Sequence, residues 1–565
     1  MVIKIKKESG GDKMKVKKNV TQTLVVNAEI HCDKAVYEAI HNPNNIKEPE
    51  VSIVQKHGYD ETIMVFEKML GKKQLLKLEY DESIPYDAQC VHTYDALESK
   101  KFKYIKNATF TSEDMVARPM FIRNYGNKEV GLILVHMSKD NDYDAKGNVK
   151  GKIKATKFKR DIARLSYQKV VIEACGYIVK SATLYYVNGA YEKKGRHTWS
   201  EFFVRVDVTD NVSDHKSLTN IYIDTVRGLL EKDQNVQPID LSAENCLNME
   251  CPYYEQCMKD RGMDNSIVWK LAGLRKTRKC EMLNNGVISI ADVVKAHNSG
   301  QFVLNDKQCR QVEYAQHPNK KPHINAEALK AYINDTFSGV ETIVFFDFET
   351  YQFCLPKYPE MYPYEQTPFQ WSAHILDVKT GEVTHKEYLA RKGKDPRIAC
   401  VQKMMELPFG SPSIIWVAYN MGFEKGVITH LADVFPEVED ELMEIRNSFV
   451  DLMTPFQQHM IYLPAFEGSY SIKYVLPGLF PNAMGLNYHN LNDVQNGSDA
   501  QRAFLEMQDK KGIDLQILKQ NMLKYCGLDT WAMVMVYGFL MELKKNRYNF
   551  ALYSEDKIAE KFKVV

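Results

Sequence analysis

The segment IVFFDFET (residues 343–350) decides the fold of the carboxyl-terminal part of this chain. Four apolar residues precede Asp347 and Glu349, which lie two positions apart, so on a strand both carboxylates project from the same face. A strand that is otherwise buried tolerates this pair when a divalent cation neutralises it, and carboxylate oxygens are the ligands that Mg²⁺ or Mn²⁺ prefers. Taken alone, the pattern also fits a solvated strand edge.

A second acidic side chain lies in PSIIWVAYNMGFEKGVI (residues 412–428). The pattern predicts a strand that ends at Tyr419 and Asn420, a turn at Gly422, and a helix that carries Glu424. This order aims a carboxylate at the end of a strand. An ordinary first-turn glutamate, favoured by the helix dipole, is the alternative interpretation.

A third acidic side chain lies in KYCGLDTWAMVMVYGFL (residues 524–540), a pattern that predicts a strongly apolar helix. Tyr525 and Asp529 are four residues apart on this helix and so share a face. An ionised aspartate inside an apolar helix needs a partner. That partner is a metal ion if Asp529 joins the other carboxylates, and a lysine such as Lys524 if it does not.

Together the three segments resemble the DEDD exonuclease superfamily, which carries Asp-x-Glu on a strand, Asn-x-x-Phe-Asp after a strand and Tyr-x-x-x-Asp on a helix. The matching residues are Asp347 to Glu349, Asn420 to Glu424, and Tyr525 to Asp529. The chain departs from the superfamily in presenting glutamate at position 424. The resemblance implies an RNase H-like α/β domain over residues 340–565.

A closer resemblance covers nearly the whole region from Phe345 onward. Four segments agree in order with the bacterial family called domain of unknown function 2779, which is itself similar to the DEDD exonucleases. These segments are DFETYQFCLPKYPEMYPYEQTPFQWSAH, YNMGFEKGVI, GSYSIKYVLP and YCGLDTWAMV. The resemblance supplies a fold and a chemistry but no established substrate.

The resemblance implies a two-metal site for Mg²⁺ or Mn²⁺ that acts on nucleic acid with a free 3′ end, DNA or RNA. The implied catalytic residues are Asp347, Glu349, Glu424, Tyr525 and Asp529. The four carboxylates among them are the implied metal ligands, Tyr525 orients the attacking water, and Asp451 in FVDLMTPF is a supporting ligand because it resembles the acidic residue that follows the second motif. Tyr364, Phe369 and Trp371 either offer faces to a terminal base or pack in the core.

Three cysteines cluster in CLNMECPYYEQC (residues 246–257), namely Cys246, Cys251 and Cys257. Three thiolates need a fourth ligand, and Cys280 and Cys32 are the candidates. The cluster resembles that of RecB-like nucleases of the CRISPR-associated type, which implies that Cys32 completes a [4Fe-4S] site. Zn²⁺ fits four thiolates equally well, and unligated thiols are a further alternative.

The amino-terminal region predicts an α/β core, with strands at VGLILVHM (residues 130–137) and ATLYYV (residues 182–187) and a helix at LSYQKVVIEACGYI (residues 165–178). The RecB-like resemblance implies a PD-(D/E)XK-like α/β domain over residues 1–244, but without its catalytic residues. Met120 stands in place of the aspartate, and Leu134 and His136 stand in place of glutamate and lysine. We expect an inactive domain that binds nucleic acid or gives support, unless the acidic pair is Asp140 and Asp142.

The overall composition is that of a globular protein of more than one domain. The 565 residues are 44% hydrophobic, and 74 basic residues face 73 acidic ones, so any attraction to a polyanion must be local. Basic runs at residues 150–160 and 275–279 offer phosphate contacts or are solvated faces. Residues 245–339, with helical patterns in NSIVWKLAGL and INAEALKAYINDTF, predict a helical connector.

The chain shows no secretory signal and no window near the roughly 18 apolar residues of a membrane span, so we expect a cytoplasmic protein without a membrane partner. The sequence as a whole predicts a metal-dependent 3′-to-5′ exonuclease. The alternatives are a non-catalytic nucleic-acid-binding scaffold and a structure-selective endonuclease.

Overall fold

The computed structural model describes residues 19–46, 51–79, 83–139, 152–232, 236, 251–483, 486, 491, 493–553, 557–558 and 560–564, without the side chains of residues 152–156 and 564. The fold is mixed α/β, as predicted. The chain divides into two compact units. The first unit contains Met1–Pro49, Thr62–Asn188 and Trp199–Cys257, and the second contains Glu50–Glu61, Gly189–Thr198 and Met258–Val565.

The elements up to Asp260 belong mainly to the first unit. Its strands are β1 (Val20–Thr21), β2 (Leu75–Lys77), β3 (Tyr104–Lys106), β4 (Phe110–Ser112), β5 (Met115–Ala117), β6 (Phe121–Gly126), β7 (Glu129–Lys139), β8 (Ile178–Val187) and β9 (Phe203–Asp207). Its helices are α1 (Gln22–Ile30), α2 (Asp33–His41), α3 (Ile53–Leu70), α4 (Tyr86–Glu98), α5 (Lys152–Ala174), α6 (Thr209–Asp214), α7 (Lys216–Glu231) and α8 (Tyr254–Asp260). Helices α3 and α8 each include residues of both units.

The main sheet of the first unit has the order β2-β3-β6-β7-β8-β9. Strands β3, β6 and β7 are antiparallel neighbours, whereas β7 and β8 are parallel and are joined through α5. Leu132 and Leu134 of β7 pack with Leu165 and Ile172 of α5, because alternate strand residues meet the apolar side of the helix. The predicted strand, helix and strand are confirmed here, although the helix ends at Ala174.

The remaining elements lie in the second unit. Its strands are β10 (His323–Ile324), β11 (Thr342–Gln352), β12 (Gln366–Asp377), β13 (Glu382–Leu389), β14 (Ile414–Ala418), β15 (Phe449–Asp451), β16 (Ile461–Tyr462) and β17 (Lys563–Val564). Its helices are α9 (Ile267–Lys270), α10 (Lys276–Asn284), α11 (Ile290–Asn298), α12 (Asp306–Gln316), α13 (Ala326–Phe337), α14 (Pro396–Met404), α15 (Gly422–Val434), α16 (Glu439–Asn447), α17 (Thr454–Gln457), α18 (Ile472–Leu479), α19 (Gly497–Met507) and α20 (Gly512–Lys545).

The sheet of the second unit has the order β15-β14-β11-β12-β13-β17. Strands β11, β14 and β15 are parallel, and β12 is antiparallel to both β11 and β13. One face of β11 places Ile343 and Phe345 in a core with α20, and the other places Val344 and Phe346 in a core with α14, α15 and α16. The sheet is therefore the middle of three layers.

The sequence overestimates one helix of the predicted connector. The helical pattern of NSIVWKLAGL forms only the single turn α9, whereas α13 lies where the second pattern predicts it. Residues 258–339 belong to the same compact unit as the sheet that carries Asp347. The three-part division at residues 244 and 339 stays a prediction.

Helix α20 is long and apolar enough to cross a membrane by length and composition. One such helix is weak evidence for a membrane span, because the core helix of a soluble protein has the same length and composition. In the structure, 72% of the most apolar 18-residue window of this helix is buried inside the protein. This burial is consistent with the core helix of a soluble protein.

Candidate metal centre

Strand β11 brings Asp347 and Glu349 to the face that lies under α20. Side chains alternate along a strand, so the two carboxylates continue the row of Ile343 and Phe345. Phe345 packs against the ring of Tyr537 on α20, with the ring centroids 5.7 Å apart. The apolar part of this row fixes the helix on the sheet, and its acidic end lies farther along the same helix.

Helix α20 supplies the third carboxylate, that of Asp529. One carboxylate oxygen each from Asp347, Glu349 and Asp529 lies within 4.8 Å of the others. The thiol of Cys526, one turn earlier on the helix, donates to Asp347 Oδ2 at 3.7 Å. The structure therefore brings together two residues of one strand and one residue of a helix that lies about 180 positions later in the sequence. We call these three residues the acidic triad.

Glu424 lies near the acidic triad, on the helix that follows the neighbouring parallel strand. It lies in the first turn of α15, just after β14, and the carboxyl ends of β11 and β14 share one edge of the sheet. Its side chain is only 3% exposed, and its Oε2 has no hydrogen-bond partner among the described residues. Glu424 contributes to the electrostatics of Asp347 but is outside the group within 4.8 Å.

The sequence predicted the turn before Glu424 at Gly422. In the structure Asn420 forms this turn instead. Asn420 adopts the left-handed conformation with φ of 71°, which asparagine tolerates better than most residues, and Gly422 is the first residue of α15. The backbone N–H of Asn420 donates to Asp451 Oδ1 at 2.9 Å, and that of Met453 donates to the same oxygen at 3.0 Å. Asp451 thus holds the turn and lies outside the acidic triad.

The electrostatics of the site show carboxylates that repel one another in a buried place. Burial raises the pKa of Asp347 well above its usual value, and the charges of Asp529, Glu349 and Glu424 raise it further. Burial, followed by the charge of Asp529, raises the pKa of Glu349 to about 8. Burial also raises the pKa of Glu424 to about 8, with a contribution from Asp451.

This donor set fits a divalent cation. The side chains offer hard carboxylate oxygens, they raise one another's pKa values, and one buried oxygen of Glu424 has no donor in the described part of the chain. A cation among them would favour the ionised forms and relieve the repulsion. Asp347, Glu349, Asp529 and Glu424 are the residues that would hold it.

Two further residues at the site were not predicted from the sequence. The ammonium of Lys473, in α18, lowers the pKa of Glu349 in part and is thus a nearby positive charge. Gly497, the first residue of α19, lies so close that an added Cβ would be 3.8 Å from Glu349 Oε2. The only sequence signal for Lys473 was its place in GSYSIKYVLP, and nothing marked Gly497.

The aromatic predictions around the site have mixed outcomes. Phe369 and Trp371 are buried and pack in the core, so their faces are closed to a base. Tyr364 is half-buried, and its hydroxyl donates to Cys354 Sγ at 3.0 Å. Tyr525 is 5% exposed and packs in a cluster with Phe504. Its proposed role in orienting water stays a prediction.

Three of the four cysteines predicted to bind a cluster, Cys32, Cys251 and Cys257, lie in the first unit. Cys32 precedes α2, and Cys257 lies in α8. Burial raises the pKa of Cys251 to about 11, and Cys32 and Cys257 contribute to this rise as nearby thiols. Cys246 lies outside the described residues. Cys280 is fully buried in α10 of the second unit.

In the first unit, the described positions that match nuclease active-site residues form no cluster of carboxylates that could hold a metal ion. Leu134 is buried in the core, and Met120 packs partly against it. His136 Nε2 lies 2.9 Å from Asp161 Oδ2, and its ring stacks on Tyr186. Asp140 and Asp142 lie outside the described residues.

Comparison with known proteins gives one result. No curated protein and no solved structure matches the chain. A family model matches one segment of the chain, which includes Asp347, Glu349, Glu424 and Asp451 and ends before Tyr525 and Asp529. Residues 344–471 match the family described as Domain of unknown function (DUF2779), which confirms that part of the resemblance.

Proposed function

We propose that the protein is a metal-dependent nuclease that hydrolyses phosphodiester bonds of nucleic acid from a free 3′ end. The observation that carries this proposal is the acidic triad, in which one carboxylate oxygen of each residue lies within 4.8 Å of the others, with Glu349 buried and Asp347 and Asp529 half-buried. Such a group is unfavourable without a cation. Phosphoryl transfer is a reaction in which clustered carboxylates hold divalent ions.

The sheet of the second unit supports an RNase H-like fold for this region. Its central strand β11 carries Asp347 and Glu349, β12 and β13 follow as antiparallel neighbours, and β14 and β15 are parallel to β11 on the other side. Asp347 and Glu349 lie on β11, and Glu424 follows β14, the parallel neighbour of β11. Asp529 lies on α20, which packs on the face of β11 that carries Asp347 and Glu349.

Bound divalent ions would supply activation of water and stabilisation of the charge on the phosphate. Asp347 lies centrally, since Asp529, Glu349 and Glu424 all contribute to its electrostatics. Asp451 keeps the turn before Glu424 in place through two backbone hydrogen bonds. Lys473 is a positive charge near Glu349, in a position to attract the substrate phosphate.

Hydrolysis of labelled strands tests the proposal. Full-length protein is incubated with Mn²⁺ and single-stranded DNA or RNA labelled at the 5′ end, beside Asp347→Asn. We expect shortened 5′-labelled products that the variant makes at least about a hundredfold more slowly, because metal ligation is worth several kcal/mol of barrier and each 1.4 kcal/mol is about tenfold. Asp433→Asn, at an exposed position of α15, is the matched control and should retain activity.

The same assay separates the alternatives. A non-catalytic scaffold would leave the wild-type protein and Asp347→Asn equally inactive, which would contradict the proposal. A structure-selective endonuclease would cut circular strands, whereas an exonuclease acting from a 3′ end would leave them intact. A 3′-phosphate or other blocked end should likewise protect a linear strand.

For the first unit we propose a RecB-like, PD-(D/E)XK-type domain that no longer hydrolyses. The order of β3, β6, β7 and β8, with α5 joining the last two in parallel, supports this assignment. Leu134 cannot hold a cation, and His136 faces Asp161. The domain therefore keeps a nucleic-acid-binding or supporting role in the proposal.

For Cys32, Cys246, Cys251 and Cys257 we propose a [4Fe-4S] site, with Zn²⁺ as the competing metal. The proximity of Cys32, Cys251 and Cys257 supports it, because neighbouring thiols favour a shared cation. Iron, sulfide and zinc content after anaerobic purification decides between the two metals. Cys251→Ser should lose whichever metal is bound, and Cys309→Ser, in the second unit, should keep it.

A further inference from the structure

A basic pocket lies at one end of the main sheet in the first unit. It has a volume of about 320 Å³ and is lined by Gln74, Lys100, Lys101, Phe102, Lys103, Asn124, Tyr125 and Gly126. These residues precede β2 and β3 and end β6, so three strands meet at this end of the sheet. None of the carboxylates of the acidic triad lines the pocket.

The pocket has a fixed backbone frame. The N–H of Asn124 donates to the carbonyl oxygen of Lys103 at 2.8 Å, and the N–H of Tyr104 donates to that of Gln74 at 2.9 Å. The side chain of Asn124 donates to the carbonyl oxygen of Leu97 at 2.9 Å. The loop that carries the three lysines is therefore tied to both neighbouring strands.

The charge of the pocket is positive and unbalanced. Lys100, Lys101 and Lys103 are exposed, and none forms an ion pair within the part of the chain that the structure describes. Arg123 lies over the ring of Tyr125, with its guanidinium carbon 4.7 Å from the ring centroid. Lys100, Lys101 and Lys103 all line the pocket, and their positive charge attracts an anion.

The aromatic side chains at the pocket indicate which kind of anion it binds. Tyr125 is 37% exposed at the pocket, and Phe102 lies between Lys101 and Lys103 in the sequence. Alternating cations and rings suit a strand that carries phosphates and bases, because the lysines contact the phosphates and the rings stack on the bases. A pocket of about 320 Å³ is at the lower end of small-molecule sites. This volume is enough for about one nucleotide unit.

We infer that this pocket binds the sugar-phosphate backbone of a single-stranded nucleic acid, with one base against Tyr125. The inference does not depend on hydrolysis at the acidic triad. It gives the first unit, which lacks a carboxylate triad in its described residues, a binding site of its own.

Fluorescence anisotropy with a labelled 20-nucleotide thymidine strand tests the inference, in EDTA so that no hydrolysis intervenes. The triple variant Lys100→Gln, Lys101→Gln, Lys103→Gln of the full-length protein should bind at least about tenfold more weakly. Its plot of log affinity against log salt should be less steep by about 2, since each phosphate contact on a single strand contributes about 0.7. The matched control is Lys330→Gln, Lys379→Gln, Lys386→Gln, which removes the same charge from exposed positions outside the pocket.

A second variant separates stacking from charge. Tyr125→Ala should weaken binding by about five- to a hundredfold while leaving the salt dependence unchanged, because stacking releases no counterions. Thermal unfolding is measured for every variant, and melting temperatures equal to the wild type would exclude misfolding. An unchanged affinity and salt slope in the triple-lysine variant would overturn the inference. Equal competition by thymidine monophosphate or by polyglutamate would overturn the assignment to a strand.

Discussion

At the scale of single residues, the central feature is a group of carboxylates that destabilise one another when no cation is present. Asp347 is the member whose pKa responds to the other three. Asparagine has nearly the same shape and no charge. Substitution of Asp347 by asparagine therefore tests whether the needs of function and of stability oppose each other at this site.

In EDTA, Asp347→Asn should raise the free energy of unfolding by about 1 to 2 kcal/mol, the range typical when a strained functional residue is relieved. In Mn²⁺ the wild type should be more stable than Asp347→Asn, because only the wild type is stabilised by binding the ion. Urea unfolding in the two buffers measures both effects. A variant that is less stable than the wild type in EDTA would show that the repulsion is not significant. Asp433→Asn should behave as the wild type in both buffers.

The raised pKa values also predict the pH dependence of stability. The pKa of Glu349 is about 8 in the folded protein, against an ordinary value of 4.5. Between these values the folded state keeps a proton that the unfolded state has lost, so stability falls as pH rises. In EDTA the free energy of unfolding should fall from pH 5 to pH 8, by up to about 1.4 kcal/mol per pH unit for each such proton.

In Glu349→Gln the free energy of unfolding should decrease less steeply with pH than in the wild type. Mn²⁺ should remove this pH dependence in the wild type. Urea unfolding at pH 5, 6, 7 and 8 provides the measurement. Glu437→Gln, at an exposed position, should keep the full slope. Stability that rises over this range would contradict the assigned pKa shifts.

The residues on the strand were predictable, whereas some of their neighbours were not. The period of two places Asp347 and Glu349 on one face in any strand. Cys526 and Lys473 meet these carboxylates only after α20 and α18 pack beside the sheet. Their contacts depend on tertiary packing, which local pattern does not encode.

At the scale of elements, the turn between β14 and α15 positions Glu424. Asn420 forms this turn with φ of 71°, and its backbone N–H donates a hydrogen bond to Asp451 on the adjacent strand β15. The sequence predicted a strand, a turn and a helix in this order but assigned the turn to Gly422. The presence of glycine suggested the turn there, whereas asparagine also adopts this conformation.

Asn420→Val should destabilise the protein by about 1 to 2 kcal/mol, since a β-branched residue is strained in the left-handed region. Asn420→Gly should change stability little, because glycine enters this region freely. Thermal unfolding compares the two. Weaker Mn²⁺ binding in the valine variant alone would show that the turn positions Glu424. Equal effects of both substitutions would show that the side-chain contacts of Asn420 matter instead of its conformation.

At the scale of the whole molecule, charge is balanced overall and concentrated locally. The net charge is +1, yet the second unit holds an acidic triad that is half-buried to buried, and the first holds an exposed pocket with three lysines. Composition could not reveal either site. The α/β class was predictable from alternating strand and helix patterns, but the strand order was not, because β17 pairs through only two residues at the far end of the chain.

The metal site is tested most directly by titrating full-length protein with Mn²⁺ at pH 7.5 and measuring the free ion by electron paramagnetic resonance. We expect the wild type to bind up to two ions at the acidic triad and Glu424, Asp347→Asn to lose them, and Asp433→Asn to keep them. Wild-type protein that binds no Mn²⁺, or an Asp347→Asn variant that binds as well as the wild type, would show that these carboxylates do not form a metal site.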